Sequence, residues 1–250
     1  MKTDWDYTEL ANAYLKRPKY SKKAVDKVID MASVQKNDRA CDIGAGTGHL
    51  TSMLAEYGCV VTAIEPNEAM RNIGAVQTSV FSNIIWIEAK AEETKQNNNV
   101  FKLVTFGSSF NVANRKLALR ESARILKPEG WFVCMWNHRN LLDSIQADIE
   151  KVIKSSIKDY DYGLRREDQE SIINESNLFH DVCKIEVPFF YSQSKRDCIE
   201  AWRSHGTLYR QAGHKFNDII SEIEKILASV HSAEIEIPYT TVIWMAMVKK

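Results

Sequence analysis

The chain has 250 residues, 44% of them hydrophobic, enough to bury one full α/β core with an elaborated cap and too few for two large domains. Lys plus Arg and Asp plus Glu both number 33, so the global basic field that draws nucleic acid or an anionic membrane is missing. The expected partner is a small molecule, and oligomeric state leaves no signature. Cys41, Cys59, Cys134, Cys183 and Cys198 contain no C-x-x-C pair and read as thiols of a reducing cytoplasm rather than disulfides or metal ligands. No H-x-x-x-H pair or clustered acidic loop suggests a metal. No run reaches the ~18 apolar residues of a membrane helix, and the opening residues 1–7 are too polar for a signal peptide. A cytoplasmic protein is expected.

Residues 7–33 predict two helical segments broken at Pro18. A first strand ends at Ile43, and a glycine-rich turn leads into a helix from about His49 to Tyr57. A second strand covers 59–65, and a helix begins near Asn67 with Met70 in its first turns. Strands follow at 83–87 and 101–106, a helix at 116–126, a turn at 127–130 and a fifth strand at 131–136. This alternation indicates a parallel sheet with helices on both faces. The second half changes character. Helices over about 141–158, 166–176, 195–212 and 216–230 surround one strand at 181–193, and 235–248 alternates around Pro238 as a terminal antiparallel strand. The expected organisation is one domain: a cofactor-binding core at 1–140, a helical cap at 141–230 and the terminal strand at 231–250.

Between the first strand and its helix, Asp42 precedes Gly44, Gly46 and Gly48. Glycines there allow positive φ and remove Cβ atoms, so the backbone can turn sharply against a ligand. The helix start offers unpaired N–H groups to an anion. Glu65, ending the second strand, is placed to accept both hydroxyls of a ribose. Two cofactor classes fit this outline. A dinucleotide turn reads G-x-G-x-x-G and cradles a pyrophosphate; here the spacing is G-x-G-x-G, and a carboxylate beside it repels a pyrophosphate but favours an ammonium or sulfonium. A nucleotide-dependent oxidoreductase is therefore disfavoured.

The D-x-G-x-G-x-G run resembles motif I of the class I S-adenosylmethionine-dependent methyltransferases, and the resemblance extends from about Tyr7 to Asn140. It implies an α/β fold with a Rossmann-like seven-stranded sheet, mostly parallel with an antiparallel last strand, under a helical cap. It implies S-adenosyl-L-methionine as cofactor and S-adenosyl-L-homocysteine as product. The loop of Asp42, Gly44, Ala45, Gly46, Thr47 and Gly48 would hold the methionine end and Glu65 the ribose. Pro66 would lie against the adenine, with Met70 in the same segment. Ala91 would offer its N–H to the ring, Glu92 would sit near the exocyclic amine, and Ser108 would line the cofactor. The lead-in resembles small-molecule methyltransferases related to the trans-aconitate and ubiquinone-pathway enzymes, making Tyr14 and Tyr20 candidates to cover cofactor and substrate.

The loop after the fourth strand departs from that pattern. Relatives end it with an aromatic and His-Trp; here Phe110, Asn111 and Val112 stand instead. Asn111 can hydrogen-bond a substrate but cannot act as a base. His138, ending the fifth strand, becomes the candidate base, with Trp136 and Asn137 as pocket wall. In the cap, Arg203, His205 and Tyr209 are candidates to grip an anionic or aromatic substrate. Structural readings stand beside these: Glu65 as a helix-cap partner, the tyrosines as packing residues, the cap side chains as one face of an amphipathic helix. The implied activity is methylation of oxygen or nitrogen on a small molecule, with a carboxylate or hydroxyl favoured. A carboxylate needs no base, whereas a hydroxyl or ammonium does. The rivals are a noncatalytic S-adenosylmethionine-binding regulator and an RNA methyltransferase using a local basic patch of Lys16, Arg17, Lys19, Lys22 and Lys23.

Overall fold

Seven strands form one sheet in the order β3-β2-β1-β4-β5-β7-β6: β1 (Arg39–Ile43), β2 (Val60–Ile64), β3 (Ile84–Ile87), β4 (Phe101–Gly107), β5 (Leu126–Arg139), β6 (Phe179–Ser194) and β7 (Glu234–Val248). The computed structural model describes residues 6–250, so most of the polar opening stretch lies outside the described residues. Strands β1 to β5 pair in parallel, and β7 runs antiparallel to both β5 and β6. The strand order reverses between β1 and β4, which opens a crevice at the carboxyl ends of the strands. Pro238 sits in β7 just beyond its last pairing with β5, Arg139 to Tyr239. No ladder hydrogen bond is lost there on the β5 side.

The helices are α1 (Ala11–Tyr14), α2 (Lys22–Met31), α3 (His49–Glu56), α4 (Glu68–Gln77), α5 (Arg115–Ile125), α6 (Ser144–Ser156), α7 (Glu170–Glu175), α8 (Lys195–Arg203), α9 (Gly206–Ala212) and α10 (Phe216–Ser229). One face of the sheet buries Phe106, Phe110, Phe132 and Phe179 in a contiguous aromatic cluster with ring centroids 5.3 to 5.6 Å apart. Removing one such ring costs about 3–5 kcal/mol. The other face packs Val25, Val28, Leu50 and Leu54 of α2 and α3 against β1, β2 and β4. A third cluster joins α6, α8, α9 and α10 to Ile235, Ile237 and Tyr239 of β7. That cluster hangs the cap over the strand ends.

The structure differs from the sequence-based expectation in three places. Strand β5 is longer than expected, because the turn at 127–130 lies within it as an irregularity: Phe101 pairs with Leu126 and Leu103 already with Trp131, while Glu129 takes φ 59°. The expected helix over 195–212 splits into α8 and α9, where His205 stops one helix and caps the next. The expected helix over 166–176 shortens to α7, after a 3-10 turn at Gly163–Arg166. All five cysteines are free thiols, four of them buried. Among the described residues no helix is long and apolar enough to cross a membrane.

Candidate active site

The crevice holds a cavity of about 420 Å³, within the usual range for small-molecule sites. Its walls come from the loops after β1, β2, β3 and β4: Gly44 and Gly46, Glu65 to Asn67 with Met70, Lys90 to Glu92, and Gly107 to Ser109 with 112–114. A smaller chamber adjoins it and shares Tyr14, Gly44, Gly46, Gly107 and Ser108. Its remaining wall includes Asp42, Ala45, Tyr20, Asn137 and His205.

The glycine turn shapes the boundary. Gly44, Gly46 and Gly48 have φ of 66°, 59° and 86°. A Cβ at Gly44 would lie 2.4 Å from Cβ of Ser109, where the ends of β1 and β4 converge. A Cβ at Gly46 would come within 3.3 Å of the Met70 methyl and 3.9 Å of the Tyr14 ring, filling space between the two cavities. Glu65 sits beneath this turn, 7% exposed. Its Oε2 accepts the Gly46 N–H at 2.8 Å and its Oε1 the Asn67 N–H at 2.8 Å. Each oxygen keeps a lone pair for another donor. Burial raises its pKa, against those two backbone bonds and the nearby Arg71. The two carboxylate acceptors therefore fit the hydroxyl donors of a ribose diol, and the glycine shelf leaves room for the group attached to it.

Asp42 also braces the fold. Both oxygens are engaged, by the Thr51 hydroxyl at 2.6 Å and the Thr105 hydroxyl at 2.8 Å, and the Thr51 N–H in the first turn of α3 also binds it. Asp42 thus occupies the N-terminus of α3 that the sequence offered to a ligand anion. Burial pushes its pKa up to about 6, opposed by the threonine bonds.

The other candidates divide. Tyr14 lines both cavities, in edge contact with Tyr7 at 5.9 Å and stacked on His49 at 6.3 Å. The Tyr20 hydroxyl meets Ser108 Oγ at 2.8 Å. Pro66, Met70, Ala91 and Glu92 line the larger cavity, and Glu92 also accepts the Asn114 N–H at 2.7 Å. Thr47 is buried, its hydroxyl without a partner among the described residues, and Gly48 packs near Trp86; neither lines the two cavities described above. Asn111 spends its carbonyl oxygen on the Trp136 indole N–H at 2.9 Å. Trp136 is 2% exposed against Trp244, so this pair is part of the core and not a pocket wall. Asn137 braces the Pro18 and Lys19 carbonyls. His138 lies outside both linings and bonds the Arg165 carbonyl at 3.0 Å. Burial, then Arg166, pushes its pKa down to about 4.

In the cap, His205 enters the smaller chamber while Arg203 and Tyr209 do not. Arg203 lies 3.4 Å from Glu200, and Tyr209 is 42% exposed against Phe216. The position expected of Arg203 is held by Arg17, Arg139 and Arg165. The basic patch loses Arg17 to this interior, while Lys16 and Lys22 pair with Asp197 and Asp26. Arg139 directly follows the run 136–138 and had a positional signal; Arg165 had none, because only the cap's folding brings its turn to β5.

Residues 41–134 match the family described as a methyltransferase domain. A ubiquinone/menaquinone biosynthesis C-methyltransferase of Zymomonas mobilis is 34% identical over 114 residues, 44% of this chain and 47% of that protein. An uncharacterized methyltransferase of Mycobacterium tuberculosis is 31% identical over 124 residues, 50% of this chain and 48% of its own. The chain spans about half the length of the curated relatives it matches. Among solved structures, the YcgJ protein of Bacillus subtilis has a TM-score of 0.59 at 15% identity, covering 92% of this chain and 100% of that one. Phosphoethanolamine N-methyltransferase 2 of Haemonchus contortus, solved with S-adenosyl-L-methionine, has a TM-score of 0.57 at 15% identity over 100% of this chain and 59% of that one. These two share the fold. Residues 41–134 are thus similar to a methyltransferase domain, and the sheet order agrees with the class I S-adenosylmethionine-dependent methyltransferase fold that the glycine motif implied.

Proposed function

We propose that the protein binds S-adenosylmethionine in the larger cavity and methylates an oxygen or nitrogen of a small molecule held in the adjoining chamber. The observation that carries this reading is the Glu65 carboxylate beneath the open shelf at Gly46, in a cavity that continues past Tyr14 and Ser108 into a second one. When bound, the cofactor supplies a methyl group already activated on a sulfonium sulfur and departs as S-adenosylhomocysteine. Glu65 would hold the ribose hydroxyls, Pro66 and Met70 the adenine side, and Ala91 and Glu92 the ring edge. Ionised Asp42 would favour the positive methionine end.

With an activated donor, the chain's main tasks are to align the acceptor and exclude water. Tyr14 stands between the cavities for both purposes. The depressed pKa of His138 and its bond to the Arg165 carbonyl make it a brace for the cap turn, and favour an acceptor that needs no strong base, such as a carboxylate. The Zymomonas mobilis relative is named for methylation at carbon, but it matches under half of this chain. The low net charge supports a small acceptor over RNA, and a cytoplasmic location fits the free thiols.

Calorimetric titration with S-adenosylhomocysteine tests the reading. Micromolar affinity, about 8 kcal/mol, is expected; absence of heat would overturn it. Methyl transfer to any member of a small-molecule panel, read as a mass shift, separates an enzyme from a noncatalytic binding protein.

A further inference from the structure

The smaller chamber gathers three guanidinium groups from distant parts of the chain: Arg17 after α1, Arg139 at the end of β5 and Arg165 in the 3-10 turn of the cap. Among the described residues, their hydrogen bonds go to neutral groups. Arg17 donates to Ser204 Oγ at 2.9 Å and to the Ser204 carbonyl at 2.7 Å. Arg165 donates to the Tyr162 carbonyl at 3.1 Å. Arg139 lies 4.0 Å over the Trp202 ring, and its Nε is buried without a partner. Burial lowers the pKa of Arg165 to about 10, with further lowering from Arg17, Arg139 and Arg166 and opposition from Tyr160, so it stays cationic at neutral pH. The acid on this chamber's wall is Asp42, whose two oxygens are already bound to threonines. Desolvated cations gathered without a counterion are costly, and elsewhere in the chain partly buried cations such as Arg71, Arg115 and Lys127 do have acidic partners.

His205 gives a second, independent sign. Its Nδ1 lies 3.2 Å from the Leu208 N–H and its Nε2 2.9 Å from Arg165 Nη1. Neutral imidazole carries one proton. With the proton on Nε2, the ring and Arg165 face each other as two donors; with it on Nδ1, the ring and Leu208 do. A negative acceptor seated beside the pair removes the conflict by taking an N–H from both Arg165 and His205 while Nδ1 keeps its capping bond.

We infer that the arginine end of this chamber binds an oxyanion, a carboxylate or phosphate, of the methyl acceptor. Calling that ligand the acceptor rests on the methyl-transfer reading above; the anion site itself rests on the side chains. The oxyanion serves as an anchor, because guanidinium N–H bonds draw electron density from the oxygens they hold and are lost if one of those oxygens is methylated. The accepting atom is then a different one, directed toward Gly44 and Ser108. The two oxyanions differ in charge and shape, so direct titration distinguishes them.

The test is calorimetric titration of citrate and of inorganic phosphate into the full chain, with and without saturating S-adenosylhomocysteine. Saturable binding of at least one is expected, weakened about tenfold or more in Arg165→Gln and in Arg139→Gln and unchanged in Arg203→Gln. Protection of Arg165 from phenylglyoxal by the same anion, read by mass spectrometry on the unaltered protein, gives an answer that needs no variant. No saturable anion binding, binding insensitive to both inner arginines, or no protection overturns the anion site. Anion binding without S-adenosylhomocysteine binding supports the site and overturns the cofactor reading, so the two failures are told apart.

Discussion

The two adjoining cavities are built by opposite means. Apart from Tyr7 and Tyr14, the larger is lined by the ends of β1 and β4 and the segments that follow β1, β2, β3 and β4, so most of its wall residues lie within a few positions of a parallel strand end. The smaller is assembled from the segment after α1, the end of β5, a 3-10 turn and the α8 to α9 junction, brought together only when the cap settles on the sheet. The larger depends on backbone conformation and the carboxylates of Glu65 and Glu92; the smaller depends on side chains converging across the fold. Substitutions in the first should remove cofactor binding outright, whereas those in the second should alter acceptor handling and leave the cofactor in place.

The largest effect is expected for Gly46→Val. Its φ of 59° and the 3.3 Å approach to Met70 leave a branched side chain both strained and in the way. S-adenosylhomocysteine affinity should fall by more than about 100-fold, roughly 3 kcal/mol, while far-ultraviolet circular dichroism stays unchanged. Retained binding would mean that the cofactor does not use the shelf.

Glu65→Ala should come next. It deletes the acceptor of the Gly46 and Asn67 N–H groups together with two expected ribose bonds, a summed net loss of about 1.5–3 kcal/mol. Affinity should drop by about 10- to 100-fold, with a modest fall in melting temperature from the two stranded donors. A fall in melting temperature with unchanged affinity would reduce Glu65 to a brace for the turn.

A smaller effect tests Asp42 by pH. Its folded pKa of about 6 exceeds the usual 3.8, so the native state holds the proton more tightly. Its contribution to stability falls as pH rises through that window, by at most about 3 kcal/mol, and levels off above about pH 6. Affinity for S-adenosylmethionine should rise as pH passes upward through about 6, and the slope should vanish in Asp42→Asn. A flat profile in the native protein would separate Asp42 from the cofactor.

The smallest effect belongs to the second region. His138→Ala should change turnover by less than about threefold with a carboxylate acceptor, and activity should stay flat from about pH 6 to 9, because the ring is neutral above about 4. A loss of about 100-fold with cofactor binding intact would make His138 the base and bring the two cavities closer in kind.

The sequence by itself determined what depends on neighbours along the chain. Each strand and its following loop are contiguous, so the glycine turn and Glu65 announced the larger cavity, and the alternation of strands and helices announced the parallel sheet. The terminal antiparallel strand and the helical stretches of the cap also followed from pattern, with boundaries shifted where local geometry intervened, as at the irregularity inside β5 and the His205 cap. Only the tertiary structure decided which polar groups are already spent. Asp42 is taken by Thr51 and Thr105, Asn111 by Trp136 and His138 by the Arg165 carbonyl, while Arg17, Arg139 and Arg165 turn inward together. A hydrogen-bond partner 25 to 63 residues away leaves no periodic mark, because the pairing is set by how elements pack and not by the spacing within any one of them.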